Sequence, residues 1–200
     1  MSEPPNNPDA SNQLDRADML RLCDGDDGAL NDLMERHAGR LFNYLVRSLQ
    51  DEEDAADLAQ ETFVRVYQSR TRFDPARRFS TWLFTIASNL VRTQFRYRTR
   101  HPQVSLEAEQ SETGKDFREE LAEEAPNPGE TLQTAETVEA VRQAIAGLPE
   151  ELRTPLILSE YEDFSHIEIG TILQCSPKAV ETRLYRARKQ LRSVLSRFLT

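Results

Sequence analysis

The sequence predicts an all-α protein with two small helical domains, joined by a flexible acidic linker, and a helix-turn-helix in the second domain. Its 200 residues are enough for one ordinary domain or two small ones. The chain contains 7 glycines and 10 prolines, whereas 30% of its residues are charged. So few turn-forming residues disfavour a β-sandwich or barrel, which needs many tight turns. Apolar residues recur at intervals of three and four over long stretches, as they do in amphipathic helices.

Charge divides the chain into segments. The net charge is −9, and residues 103–136 alone carry ten acidic residues against two basic ones. Such a segment, with few large apolar residues, cannot bury enough surface to offset its ordering entropy. We therefore predict a linker over residues 102–132, between a first domain at residues 14–101 and a second at residues 133–200. The polar, proline-containing residues 1–13 are predicted to form a disordered tail.

Four helices are predicted in the first domain. A short helix ends at Gly25, and apolar spacing predicts a long amphipathic helix over residues 30–49. A second apolar stripe predicts a helix over residues 55–67. Ser80 or Thr81 can cap the last helix, because a side-chain oxygen at that position accepts from a free backbone N–H group.

The last helix of the first domain combines aromatic and basic residues. Seven arginines between residues 72 and 100 are interleaved with six aromatic residues, namely Phe73, Phe79, Trp82, Phe84, Phe95 and Tyr97. Arginine neutralises phosphate, and aromatic faces stack on bases. Because a duplex hides the faces of its bases, this pattern favours a single-stranded nucleic acid as the ligand. We expect some of these rings to belong to the core instead.

The second domain contains the sequence pattern of a helix-turn-helix. Ser165 and Glu168 form a capping box at the start of a short helix. A tight turn at residues 174–175 follows, and Ser176 and Pro177 cap and open the next helix. In that helix, basic and hydrogen-bonding residues share the outer side, as in a DNA-reading helix. They are Lys178, Glu181, Thr182, Tyr185, Arg186 and Lys189.

No metal, cofactor or catalytic site is expected. The residues that could build one are His37, His101, His166, Cys23 and Cys175, and their spacing fits no ligand motif. A small enzyme or metal protein built on them is the weakest alternative. The most apolar stretch is too short to span a bilayer, and the amino end lacks a signal-peptide pattern. We therefore expect a cytoplasmic protein without direct membrane insertion.

Three strings in this order resemble one known family, the extracytoplasmic-function sigma factors of bacterial RNA polymerase. The first, DAADLAQETFVRVY, is similar to that family's helix for binding core polymerase. The second, RFSTWLFTIASNLVR, is similar to its promoter-melting segment. The third, LPEELRTPLILSEYEDFSHIEIGTIL followed by SPKAVETRLYRARKQLR, is similar to its reader of the upstream promoter element. The resemblance covers both predicted domains.

The resemblance implies a role for each motif. Core RNA polymerase would bind the first domain at Asp54, Asp57, Gln60, Glu61 and Phe63. The unpaired −10 strand of promoter DNA would contact Arg78, Phe79, Ser80, Thr81, Trp82, Asn89, Arg92 and Arg96. The −35 duplex would contact Lys178, Glu181, Thr182, Arg183, Tyr185, Arg186, Arg188 and Lys189. A third partner would be an anti-sigma factor, often membrane-anchored in this family, which controls a stress or envelope response.

Two further expectations concern DNA. Several relatives carry a basic residue where this chain has Glu181, and an acid there favours the amino group of a cytosine. The net charge of −9 should weaken duplex binding by the free protein, so we expect polymerase to separate the domains and free both DNA-binding surfaces. The alternative function is a helix-turn-helix regulator that acts independently of polymerase. A pull-down with core polymerase discriminates between the two.

Overall fold

The computed structural model describes residues 8–100 and 132–196. Within these residues every regular element is a helix, which confirms the all-α prediction. The helices are α1 (Pro8–Cys23), α2 (Gly28–Leu49), α3 (Glu52–Gln68), a short 3-10 turn (Arg70–Arg72), α4 (Phe79–Arg100), α5 (Leu132–Ala146), α6 (Glu150–Glu160), α7 (His166–Leu173) and α8 (Pro177–Val194). In this described part of the chain, none of the helices is long and apolar enough to cross a membrane.

The helix boundaries correct two predictions. Because α1 begins at Pro8, residues 8–13 are helical rather than part of a disordered tail. Because α4 begins at Phe79, Ser80 and Thr81 lie inside the helix and neither caps it. The predicted linker lies outside the described residues, except for the first residue of α5.

Local hydrogen bonds explain the break between α2 and α3. Gln50 adopts a left-handed conformation (φ 58°) and its backbone N–H group donates to the carbonyl of Val46, which ends α2. The carboxylate of Asp51 then accepts from the backbone N–H groups of Glu53 and Asp54, at 3.0 Å each. Asp51 is therefore the N-cap of α3, and the acidic residues of its first turn suit the positive end of the helix dipole.

The helix-turn-helix forms as its sequence predicts. Ser165 and Glu168 make both hydrogen bonds of the capping box, and Ser176 caps α8. The turn between α7 and α8 brings the backbone unusually close to Gly170. A Cβ atom at that position would lie 2.8 Å from the carbonyl oxygen of Cys175, so only glycine fits without a shift of the backbone.

The two halves of the chain share one continuous core. Buried apolar side chains of α1 to α4 and of α5 to α8 form a single cluster. Contacts between the halves run mainly from α4 to α7 and from α2 to α6. The helix with the aromatic and arginine residues therefore packs directly against the first helix of the helix-turn-helix.

Candidate nucleic-acid interface

The exposed side of α8 carries the polar residues that the sequence assigns to duplex DNA. Val180, Leu184 and Ala187 are buried against the rest of the domain. On the other side, Tyr185 is 67% exposed, although it is a large aromatic residue. We call this side the α8 outer face, and it consists of Lys178, Glu181, Thr182, Tyr185, Arg186 and Lys189, all of which are exposed.

An ion pair orients the one acid on the α8 outer face. Lys178 Nζ lies 2.8 Å from Glu181 Oε2, one helical turn away. The hydrogen bond from Lys178 lowers the pKa of Glu181, so its carboxylate stays ionised and can only accept hydrogen bonds. An acceptor at this place matches a base-edge donor such as the amino group of cytosine.

Two further arginines of α8 contact other residues of the protein. Arg183 is half-buried, with Nη1 3.6 Å from the sulfur of Cys175, and lines a cleft between the two halves of the chain. Arg188 is paired with Glu160 of α6 at 2.6 Å. The sequence predicts that both contact −35 DNA. In this conformation Arg183 faces the other domain, and Arg188 is engaged at the edge of the outer face.

A second basic surface runs along α4. Trp82, Asn89, Arg92 and Arg96 follow each other at intervals of seven, three and four residues, so they share one side of the helix. Asn89 and Arg92 are half-buried and Arg96 is exposed. Arg92 and Arg96 line the same cleft as Arg183, which has a volume of about 700 Å³.

Three rings form an aromatic cluster at the start of α4. Phe73, Phe79 and Trp82 have ring centroids 5.3 to 6.2 Å apart, at angles of 51° to 68°. Phe79 is buried beneath the other two, whereas Trp82 is half-buried and accessible. Thr81 is also buried, so among the predicted −10 residues near this end, Arg78, Ser80 and Trp82 remain at the surface.

Four of the five predicted polymerase-binding residues lie on one acidic side of α3, namely Asp54, Asp57, Gln60 and Glu61. Asp57 lies there among Asp51, Glu53 and Asp54, and burial together with these acids raises its pKa. Asp54 is paired with Arg98 of α4 and accepts a 3.2 Å hydrogen bond from Gln94.

Further along this side of α3, Gln60 is half-buried and Glu61 is paired with Arg65 at 2.7 Å. Phe63 is 3% exposed and belongs to the core, so in this conformation it supports α3 rather than offering a contact.

Comparison with known proteins identifies the family. The model described as Sigma-70 region 2 matches residues 33–101, and the model described as Sigma-70, region 4 matches residues 138–191. The chain is 34% identical to the ECF RNA polymerase sigma factor SigW of Bacillus subtilis (strain 168), over 86% of this chain and 91% of SigW. The chain is an extracytoplasmic-function sigma factor. The resemblance inferred from the sequence is thereby confirmed.

Solved structures of sigma factors are similar to this one. CnrH, in complex with the cytosolic domain of CnrY, is 28% identical over 92% of this chain and 97% of CnrH, with a TM-score of 0.64. The sigma factor RpoE from Bartonella quintana, in complex with the anti-sigma factor NepR, has the same TM-score at 22% identity. The match covers 83% of this chain and 96% of RpoE, and it shows that the two proteins share a fold.

The contact between the two domains of this sigma factor is polar as well as aromatic, and sequence reasoning missed it. Glu162, in the loop between α6 and α7, is 2% exposed and lies 2.8 Å from Arg40 of α2. The guanidinium group of Arg40 lies over the rings of Phe84 and Phe164, at 5.5 and 5.2 Å from their centroids. Those two rings meet edge to face at 5.1 Å. We call Arg40, Phe84, Glu162 and Phe164 the interdomain latch.

Other contacts extend the closed arrangement around the latch. Arg153 of α6 is buried and donates a 2.8 Å hydrogen bond to the carbonyl of Ser48 in α2. Arg78, a predicted −10 residue, lies 3.3 Å from Glu168, the capping-box acid of α7. The start of α4 is therefore linked to the start of α7, and α6 to α2, in this conformation. The sequence around residues 40, 78 and 162 gives no signal of this pairing, because the partners lie more than 80 positions apart.

Proposed function

We propose that this sigma factor binds core RNA polymerase and directs it to promoters, with one domain on each promoter element. The α8 outer face would enter the major groove of the −35 duplex, and the side of α4 from Trp82 to Arg96 would hold the −10 strand. The observation that carries the proposal is the α8 outer face itself. It is an exposed set of basic, hydroxyl and aromatic side chains on the second helix of a well-capped helix-turn-helix.

The acidic side of α3 is the proposed site for core polymerase. Asp57, Gln60 and Glu61 lie at the surface there, and Asp54 is held in place by α4. Acidic side chains attract a basic partner, and their electrostatic field speeds the encounter. Phe63 would contribute by fixing α3 on the core.

The closed arrangement must open for both promoter elements to be bound. Elements centred near −10 and −35 are separated by about 25 base pairs, or about 85 Å of B-DNA at 3.4 Å per base pair. Domains that share one core cannot reach two sites so far apart, since a 200-residue globule has a radius of gyration of about 16 Å. The chain between Arg100 and Leu132 has a covalent reach of about 100 Å, which is enough. We infer that polymerase binding selects the separated form.

Promoter opening would follow from binding energy, so the protein would act as an initiation factor in the cytoplasm and not as an enzyme. Unstacking a base costs a few kcal/mol, which capture of the base can offset. Trp82, half-buried and at the edge of the aromatic cluster, is the ring placed to stack on a captured base. Arg92 and Arg96 lie further along the same side of α4, where they would neutralise the adjoining phosphates.

An anti-sigma factor is the proposed regulator. The complex of RpoE with NepR pairs a sigma factor of the same fold with an anti-sigma factor. A regulator of this kind would act here by stabilising the closed arrangement or by covering the acidic side of α3.

The test is run-off transcription with core polymerase on a promoter library, with Arg186→Ala, Trp82→Ala and Arg142→Ala as variants. Arg142 is a matched control, because its side chain is 67% exposed on α5, outside the proposed surfaces. We expect Arg186→Ala and Trp82→Ala to reduce promoter-directed RNA, and Arg142→Ala to leave it unchanged. Absence of promoter-directed RNA with the wild-type chain would refute the proposal. Tight, sequence-specific duplex binding by the chain alone at physiological salt would instead support the independent regulator.

A further inference from the structure

A buried polar network lies directly beneath the aromatic cluster. His37 of α2 is 6% exposed, and Asp15 of α1 is 3% exposed. Nε2 of His37 donates a 2.9 Å hydrogen bond to Oδ1 of Asp15. The same carboxylate oxygen accepts from Nε of Arg36 at 3.0 Å. Asp15 is thus held at a fixed place between α1 and α2.

The imidazole ring of His37 contacts the aromatic cluster. Its centroid lies 5.1 Å from that of Phe79, with the ring planes at 54°. Phe79 in turn lies 6.2 Å from Trp82. A chain of contacts therefore runs from Asp15 through His37 and Phe79 to Trp82. Packed side chains of this kind fix one another's rotamers, because cores have few voids.

Helix α1 has no assigned role in the family comparison, since the region 2 match begins at residue 33. Its acidic residues would be expected at the surface, yet Asp15 and Asp18 are both buried. Both accept from Arg36 of α2. A buried carboxylate needs such partners to offset its desolvation. The hydrogen bonds to Arg36 therefore fix the positions of both carboxylates.

We propose that Asp15 and His37 are positioning residues for promoter opening, which hold Phe79 so that Trp82 is presented to the −10 strand in one orientation. The inference rests on the proposed function and adds α1 to the apparatus that opens DNA. A preorganised ring loses less entropy when it captures a base. Without the network, the aromatic cluster still forms a core, but Trp82 no longer has one position.

Trp82 provides a direct test, because it is the single tryptophan of the chain. We would measure its emission and its quenching by acrylamide in Asp15→Asn, His37→Ala and His37→Gln. His37→Gln keeps a donor for Asp15 but removes the ring, and it serves as the milder variant if His37→Ala does not fold. Tyr44→Phe is the matched control, since it breaks another buried hydrogen bond between helices of this domain, that of Tyr44 to Ser88 at 2.8 Å.

We expect quenching of Trp82 to increase in the three network variants and to stay unchanged in Tyr44→Phe. With core polymerase, we expect the three network variants to transcribe a duplex promoter about twofold to tenfold less than the wild type does. This fold-change corresponds to the free energy of one aromatic pair. A promoter with a pre-opened, mismatched −10 region should restore it. Unchanged quenching in folded His37→Gln, or an equal loss on both templates, would overturn the inference. If the wild-type chain initiates no transcription, the proposed function is refuted instead. The quenching measurements would still test whether Asp15 and His37 hold Trp82 in one position.

Discussion

Arg40 donates a 2.8 Å hydrogen bond from Nε to the carboxylate of Glu162, across the contact between the two domains. The same guanidinium group lies over Phe84 of the first domain and Phe164 of the second. One side chain thus joins the charged and the aromatic parts of the interdomain latch. Because Arg40 takes part in several of these contacts at once, changes at single residues of the latch are expected to shift the balance between the closed form and the proposed separated form.

Phe164→Ala is expected to separate the domains. The ring of Phe164 is 7% exposed between Arg40 and Phe84, and deletion of a buried phenylalanine side chain costs about 3 to 5 kcal/mol. Small-angle X-ray scattering should show a larger radius of gyration. Ile167→Ala is the control, because Ile167 is 71% exposed in the same domain.

The same variant should bind core polymerase more tightly. When the competent form is a minor one, the apparent Kd is the intrinsic Kd divided by its population, so separating the domains in advance lowers the apparent Kd. Unchanged scattering and unchanged polymerase affinity in Phe164→Ala would show that the latch does not govern closure.

The pH dependence of stability should carry a contribution from Glu162. Burial raises the pKa of Glu162 above 4.5, although Arg40 and Arg47 act in the opposite direction. An acid with a raised pKa in the folded state contributes stability below its unfolded pKa, and this contribution is lost as the pH rises through the folded value. Glu162→Gln stays neutral at every pH. The free energy of unfolding of this variant, relative to that of the wild type, should therefore increase as the pH rises.

Urea unfolding at several pH values from 4 to 7.5 measures this difference. The change to glutamine keeps the size of the side chain, and Glu151→Gln, at an exposed position of α6, is the control. If the free energy of unfolding of Glu162→Gln instead decreases relative to that of the wild type as the pH rises, pairing with Arg40 has a larger effect on the pKa of Glu162 than burial has.

Glu181 should determine one base of the −35 element. Glutamate accepts from the amino group of cytosine, whereas arginine pairs with the acceptors of guanine, and such contacts discriminate by about 1 to 3 kcal/mol. Glu181→Arg is therefore expected to change the preference at one position from cytosine to guanine, by about fivefold to hundredfold. Sequencing of run-off products from a promoter library would show it.

Gln190→Arg is the control for the added charge. It lies nine residues along α8, on the opposite side of the helix, and is exposed. It should strengthen or weaken all promoters alike. The same uniform effect in Glu181→Arg would exclude a direct contact between Glu181 and a base.

Gly170→Ala should destabilise the helix-turn-helix. The new Cβ atom would lie 2.8 Å from the carbonyl oxygen of Cys175, and overpacking of this kind costs about 1 to 3 kcal/mol. Gly147→Ala is a matched control, since its Cβ would meet its nearest atoms at 3.5 and 3.6 Å. Thermal unfolding should show a lower Tm for the first variant only. An equal Tm would mean that the turn relaxes without cost.

Local features of the fold could be predicted from the sequence, and distant pairings could not. The capping box of Ser165 and the start of α8 at Pro177 depend on residues within four positions, so their patterns are visible in the sequence. The predicted cap of α4 is wrong because the helix starts at Phe79, and burial of that ring in the aromatic cluster outweighs the capping preference of Ser80.

The site residues show the same division. The α8 outer face follows from helical spacing alone, and its exposure agrees with that interpretation. The spacing places His37 on a buried stripe, but it does not indicate the partner Asp15, which lies 22 positions away in another helix. Glu162 carries no signal in the sequence, since only the folded chain brings it to Arg40.

The composition of the contact between the domains has a consequence for the separated protein. Arg40, Arg153 and Glu162 are ions, which water solvates as soon as the two faces part. In the proposed separated form, the apolar side chains of the shared core would be uncovered together with these ions. The ions would interrupt the exposed apolar surface, which on its own favours aggregation.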